Sequence, residues 1–197
     1  MADADHSLYV QNTDAEIVII TIYVDDLIIG GDALEDAEHV KALLHKQFDM
    51  KDSGELRYFL GIEMIRNEGG VWLPQKKYGL DMLMKYGMAD CKPILTPLDE
   101  NLKFGIDEEE VLDDATMYRK IVGSLIYMMI SRPYLSYAVG LVSLFMQPPR
   151  KPHSDAMRHI MSYVRATLDY SLFYDIGTQV QVHGFIDSNW TGSVFDH

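Results

Sequence analysis

Residues 17–24 read Ile-Val-Ile-Ile-Thr-Ile-Tyr-Val. Each position is β-branched or aromatic, so neither alternating set of side chains is suited to water. Such a run predicts a strand covered on both faces. A second apolar run, Leu27-Ile28-Ile29, follows Asp25-Asp26 and ends at Gly30-Gly31. Two strand runs separated by two turn formers predict a tight hairpin with Asp25-Asp26 as its turn. Asn-Gly or Asp-Gly reaches positive φ more cheaply than Asp-Asp. The acidic pair at the tip therefore asks for a reason other than turn propensity.

The rest of the chain predicts a mixed architecture. Asp32 with Glu35 has the spacing of a capping box, and Leu34, Ala37, Val40, Leu44 and Phe48 recur at helical spacing over residues 33–48. Extended runs are expected on either side of Gly61. A turn is expected at residues 67–70 and a short strand at 71–73. Beyond Pro74 the period becomes helical, over residues 76–86 with Gly87 as the stop. Pro93, Pro97, Gly105 and the acidic run 107–110 break regular structure. Three more helices are expected at 116–130, 134–146 and 154–167, then strands at 171–174 and 180–186. The Met residues 82, 84, 88, 128, 129, 157 and 161 stand at helical positions, where core filling is the plainest role.

Charge sharpens the functional question. The chain carries 30 acidic residues against 17 Lys plus Arg, a formal net charge of −13. Taken whole, that argues against a nucleic-acid surface. The distribution is uneven, however. Residues 1–30 hold six acids and no Lys or Arg, and residues 91–115 hold eight acids and two bases. Residues 116–170 hold seven bases and two acids. The helical stretch is thus basic, either as an ordinary solvated face or as a surface for a polyanion. The single cysteine, Cys91, rules out an internal disulfide and points to an intracellular compartment, cytoplasmic or nuclear. No apolar run reaches membrane-spanning length, and the acidic start lacks the features of a signal peptide.

Two neighbouring carboxylates at a hairpin tip can ligate a hard cation such as Mg²⁺ through oxygen. A pair of solvated aspartates in a turn is the plainer account of the same residues. The surrounding order of motifs adds to this. Tyr23-Val24-Asp25-Asp26-Leu27 resembles the YVDD box of reverse transcriptases. The stretch Phe48-Asp49-Met50-Lys51-Asp52-Ser53-Gly54-Glu55-Leu56-Arg57-Tyr58-Phe59-Leu60-Gly61-Ile62-Glu63 is similar to the polymerase of copia-type LTR retrotransposons. So are Asp90-Cys91-Lys92-Pro93 with Thr96-Pro97, Tyr118-Arg119 with Val122-Gly123, and Ser131-Arg132-Pro133. The resemblance runs from about Asp5 to Gly192.

The resemblance implies an α+β fold. An antiparallel palm-like sheet with packed helices would occupy residues 1–75. A helical thumb- or connection-like region with an acidic loop at 97–115 would occupy 76–170. The truncated start of an RNase H-like domain, a β-hairpin, would occupy 171–197. It implies catalytic and metal-binding roles for Asp25 and Asp26, with Mg²⁺ as cofactor, and nucleic-acid contacts for Tyr23, Tyr58, Phe59, Leu60 and Gly61. Plain sheet packing accounts for Tyr58, Phe59 and Leu60 equally well. Asp187 matches the first RNase H metal ligand, whereas Asn189 stands where a second aspartate is usual. The implied partner is an RNA/DNA template–primer.

The same resemblance places a further palm aspartate and the fingers upstream, and residues 1–24 are too short to hold them. A fragment with little or no polymerase activity is therefore expected. The strand at 17–24 would lack a neighbour, leaving an unpaired edge open to self-association. A non-enzymatic nucleic-acid-binding protein and an acidic interaction module, with residues 107–110 as its face, are the competing readings.

Overall fold

The computed structural model describes residues 5–12, 16–32, 34–99 and 110–177. Among the described residues it is mixed α/β, with antiparallel sheets and five α-helices, and the chain divides into two compact units, Met1–Arg57 and Tyr58–His197.

The first unit is built on the sheet β1 (Leu8–Asn12), β2 (Ile17–Tyr23) and β3 (Asp26–Gly31), with β2 in the centre. The expectation of an unpaired edge on the 17–24 strand is overturned. Leu8–Asn12 pairs along β2 from Leu8↔Thr21 to Asn12↔Ile17, and β3 occupies the other side. The signal for β1 was the short run Leu-Tyr-Val, which the acidic residues before it obscured. Gly31 closes β3 where no side chain fits: a Cβ there would lie 2.1 Å from the Ile17 carbonyl oxygen.

Helix α1 (Leu34–His45) packs on β3. It ends three residues before Phe48, which stands 58% exposed rather than in the core. Ala37 is buried, as its spacing predicts. The loop after α1 is tied back to it. Asp52 accepts from the Gly54 backbone N–H at 2.8 Å, with Gly54 at φ 76°, and receives Lys41 at 3.3 Å. The Gly54 amide first and the Lys41 ammonium second hold the Asp52 carboxyl below the usual carboxylate range.

The second unit opens with a small hairpin, β4 (Tyr58–Phe59) and β5 (Ile62–Glu63). A sheet of β6 (Ile65–Asn67), β7 (Gly70–Pro74) and β8 (Ser171–Asp175) follows, with β7 central. Trp72 and Phe173 face each other across β7 and β8, with ring centroids 4.5 Å apart. The expected strand partner at 180–186 lies outside the described residues.

Helices α2 (Lys76–Lys85), α3 (Ala115–Met128), α4 (Ser136–Ser143) and α5 (Lys151–Ala166) form the main core. α2 stops in a Schellman motif: Met88 N–H donates to the Leu83 carbonyl at 2.7 Å and Gly87 N–H to that of Met84 at 3.2 Å, with Gly87 at φ 69°. Asp114 caps α3 through the Thr116 N–H at 2.7 Å. Met82, Met88, Met128, Met157 and Met161 fill the core as expected, whereas Met84 points outward. The third helix of the basic stretch begins at Lys151 rather than 154. Pro152 sits in its first turn, where the missing N–H has no helical partner to lose.

The motifs of residues 88–99 and 116–133 mostly serve this core. Ile94 N–H donates to the Ser162 carbonyl, and His159 Nε2 lies 2.9 Å from the Thr96 carbonyl oxygen, which lays the segment along α5. Tyr118 is buried and donates its hydroxyl to the Val142 carbonyl at 2.6 Å. Arg132, one of the seven bases of the basic stretch, is wholly buried.

Candidate functional site

The acidic hairpin differs in one position from the sequence expectation. Tyr23 pairs with Asp26, so the two-residue turn is Val24-Asp25 and not Asp25-Asp26. Val24 takes φ 50° and Asp25 does not share the positive φ. A positive φ at the first central residue alone is the pattern of a II′ hairpin turn, whose twist matches that of the flanking strands. Glycine is the usual occupant there. A β-branched residue in that conformation is an outlier, and such strain concentrates at functional sites. Val24 is 82% exposed, so no packing of its side chain explains its presence.

The turn divides the two carboxylates between settings. Asp25 occupies the second turn position and Asp26 the first residue of β3. Both are exposed. Tyr23, directly across from Asp26, is half-exposed beside them. Along the rest of β2 only Val18 is buried, and Ile19 and Ile22 stand exposed, so the expectation of a strand covered on both faces is not met. Two adjacent carboxylates on a paired hairpin match the oxygen chemistry of a Mg²⁺ ion that keeps most of its waters. Among the described residues, no group of three or more His, Cys, Asp or Glu side chains gathers to hold a metal ion. Asp25 and Asp26 supply carboxylate oxygens of the kind a hard cation takes. The pair falls short of the carboxylate set of a two-metal centre.

At the other end of this sheet, Glu16 meets Asp36 of α1, and the hydrogen bond between the two carboxyls raises Glu16 above its usual range.

Tyr58, Phe59, Leu60 and Gly61 form the β4–β5 hairpin in the second unit, separate from the unit that carries Tyr23, Asp25 and Asp26. Phe59 pairs with Ile62, so Leu60-Gly61 is the two-residue turn. Leu60 has φ 49° and Gly61 φ 80°, the two positive values of a type I′ turn. Tyr58 is 52% exposed, and Lys77 Nζ stands 5.8 Å from its ring centroid. Phe59 is half-buried and Leu60 is exposed. A packed Phe59 beside an open Tyr58 and Leu60 divides the motif between sheet packing and a surface able to meet a ligand.

Behind this tip stand Tyr78 of α2 and Tyr127 of α3, which the sequence reading did not single out. Their rings meet edge-on, with centroids 4.9 Å apart and planes at 60°. Desolvation raises the Tyr78 phenol above its ordinary range, although its hydrogen bond to Ser124 works in the opposite direction. Two tyrosines on separate helices carry no shared sequence period, so only the structure joins them. Asp187 and Asn189 lie outside the described residues, as do residues 107–109 of the acidic run. Glu110, the last residue of that run, is exposed.

Comparison with known proteins adds the family context. Residues 1–100 match the family described as reverse transcriptase (RNA-dependent DNA polymerase). The chain is 36% identical over 194 residues to the retrovirus-related Pol polyprotein from transposon RE2 of Arabidopsis thaliana, covering 98% of this chain and 13% of that protein. It is 33% identical over 191 residues to the corresponding polyprotein from transposon TNT 1-94 of Nicotiana tabacum, covering 92% of this chain and 14% of that one. An uncharacterized mitochondrial protein of Arabidopsis thaliana is 34% identical over 173 residues, covering 88% of this chain and 72% of that relative. The chain therefore spans only about one-seventh of the transposon polyproteins it matches. No solved structure matches it significantly.

Proposed function

This chain belongs to the reverse transcriptase family, as found in copia-type retrotransposons, and from that premise we propose that it carries part of an RNA-directed DNA polymerase. In this reading the β1–β2–β3 sheet is palm-like, and Asp25 and Asp26 are its catalytic carboxylates. The observation that carries it is the exposed acidic pair on a strained two-residue turn inside a family match. Nothing in the packing of the sheet calls for two aspartates and a left-handed valine at that tip.

The roles divide by residue. Asp25 and Asp26 would hold Mg²⁺, which when bound supplies charge stabilisation at the nucleotide phosphates. Tyr23, beside Asp26, would line the nucleotide end of the site. Tyr58, Phe59, Leu60 and Gly61 would form the element against which the primer terminus rests, with the exposed Tyr58 ring offering a stacking face. The helices of residues 76–170 would act as a thumb or connection toward the template–primer. Arg119, Lys120 and Arg165 are exposed there to meet phosphates. Residues 171–197, with Asp187, would begin an RNase H-like domain.

The 197-residue chain by itself is proposed to be inactive in synthesis. The described residues assemble two carboxylates where two-metal transfer draws on more. Primer extension on an RNA template with Mg²⁺ tests this. The expected result is no product from this chain alone. Robust synthesis lost on Asp25→Asn would overturn it.

A second reading is a non-enzymatic nucleic-acid-binding protein that retains the fold. It is favoured by the exposed basic side chains Arg119, Lys120 and Arg165 of the helical region. Binding to an RNA–DNA hybrid that weakens steeply with salt and is unchanged by Asp25→Asn would support it.

A further inference from the structure

We propose that Tyr127, together with Tyr78, is a positioning residue that seats the tip of the β4–β5 hairpin. This rests on reading that hairpin as the primer-contacting element. Each strand of the hairpin contributes only two paired residues. An isolated hairpin is marginal at best, and one this short has too little pairing to hold its own place. Its position must come from what it packs against, which includes β7 alongside β5.

The tip faces two aromatic rings. A Cβ built on Gly61 would lie 3.5 Å from Tyr127 Oη, 3.7 Å from its Cε1 and 3.6 Å from Tyr78 Cδ2. A side chain at Gly61 would therefore be in ordinary van der Waals contact with both rings, so the turn faces them across no more than the width of a methyl group. The rings are themselves fixed. Tyr78 donates its hydroxyl to the Ser124 carbonyl at 3.2 Å, within the same helix as Tyr127. Tyr86, also on α2 or its cap, reaches the Lys120 carbonyl at 3.3 Å and Ser124 Oγ at 3.2 Å. Two tyrosines of one helix thus grip one face of the next, and the pair presents an aromatic seat to the Leu60-Gly61 turn. Lys77, next to Tyr78, carries its ammonium to the Tyr58 ring. The hairpin is registered to the α2–α3 pair at both its tip and its base.

Loss of the Tyr127 ring should free the hairpin without unravelling the sheet behind it. In the full chain, Tyr127→Ala is expected to raise amide hydrogen exchange across residues 58–63 at least tenfold, with β6 and β7 unchanged. Anisotropy with two RNA–DNA duplexes supplies the functional readout, one blunt and one with a recessed primer 3′ end. Wild type is expected to prefer the recessed end. Tyr127→Ala should lose that preference while keeping its affinity for the blunt duplex. Tyr127→Phe keeps the ring and removes only the hydroxyl, and it should loosen the hairpin and weaken the preference less than Tyr127→Ala. Tyr127→Leu keeps the bulk, and it replaces the alanine variant if circular dichroism shows that variant unfolded.

Unchanged exchange across the hairpin in the alanine or leucine variant would overturn the seat. A phenylalanine variant as loose as the alanine one would do the same. A wild-type chain with no preference for the recessed end would overturn the primer-contact reading instead, a result that the exchange data keep separate.

Discussion

Arg132 Nη1 donates to the backbone carbonyl of Thr167 at 2.8 Å, and Nη2 donates to that of Leu168 at 3.0 Å. Thr167 is the C-cap of α5, so a buried guanidinium closes the negative end of the helix dipole. A planar fork offers two N–H groups at a fixed spacing to two successive carbonyls, a geometry that a flexible ammonium does not hold. Arg132→Ala should destabilise the second unit by roughly 3 kcal/mol or more, because it strands buried carbonyls and leaves a cavity. Arg132→Lys should recover only part of that. Urea unfolding of the three chains is the check, and equal midpoints for wild type and Arg132→Ala would refute the helix-closing role.

His153 makes the stability of the helical core depend on pH. Its Nδ1 accepts from the Arg150 N–H at 3.0 Å, and its ring stacks on Phe145 with centroids 4.0 Å apart. Burial first, and the charge of Arg150 second, push its pKa below the ordinary histidine value. The unfolded chain therefore binds the proton more readily than the folded one. Stability should be fully present above about pH 6.5 and fall as pH drops through the window below it. Thermal unfolding at pH 7.5 and 5.5 should show the loss, and His153→Gln should flatten it. An acid dependence unchanged by that substitution would assign the titration to another group.

Val24 should be replaceable by glycine at no cost in stability. A β-branched side chain at φ 50° costs about 1–2 kcal/mol, while the extra backbone freedom of glycine when unfolded costs up to about 1 kcal/mol. Val24→Gly is thus expected to leave the first unit as stable as before or more so, by up to about 1 kcal/mol. Calorimetric or urea unfolding that places the glycine variant well below wild type would show that the valine is not strained.

Gly70 should tolerate no side chain. A Cβ there would fall 2.1 Å from the Tyr174 carbonyl oxygen and 2.8 Å from the Phe173 ring. The obstacle includes backbone, which a rotamer change cannot clear. Gly70→Ala should cost roughly 2 kcal/mol or more and disturb the Trp72–Phe173 contact. Near-ultraviolet circular dichroism of the tryptophan band reads that contact directly. A wild-type spectrum and stability would contradict the assigned pairing of β7 with β8.

Local signals in the sequence carried much of the architecture. The apolar run at 17–24, the helical period and the Gly87 stop each express a short-range rule, and each was legible. The turn at Val24-Asp25 was not. Propensity places aspartates in the turn, but strand register overrode it and put a valine at a left-handed position. Strand β1 was hidden because five residues beside an acidic stretch give little periodicity. The exposure of Phe48 followed from α1 ending at His45, a boundary that spacing alone does not locate. The acidic pair itself stood out as a motif. The aromatic seat behind Gly61 did not, because it joins side chains from two helices through space.

The pairing of β8 with β7 has a consequence for synthesis. All of α2 to α5 lies between those two strands in the chain, so Trp72 leaves the ribosome long before Phe173 exists to cover it. During that interval the β6–β7 ribbon carries an open edge and a bare indole, the features that invite wrong pairing. The helices can pack from local contacts meanwhile, and the arriving strand then closes the sheet around them. A chain cut before residue 171 would keep its helices and lose that closure. Its defect would be expected as aggregation in the cell before any fall in helix content.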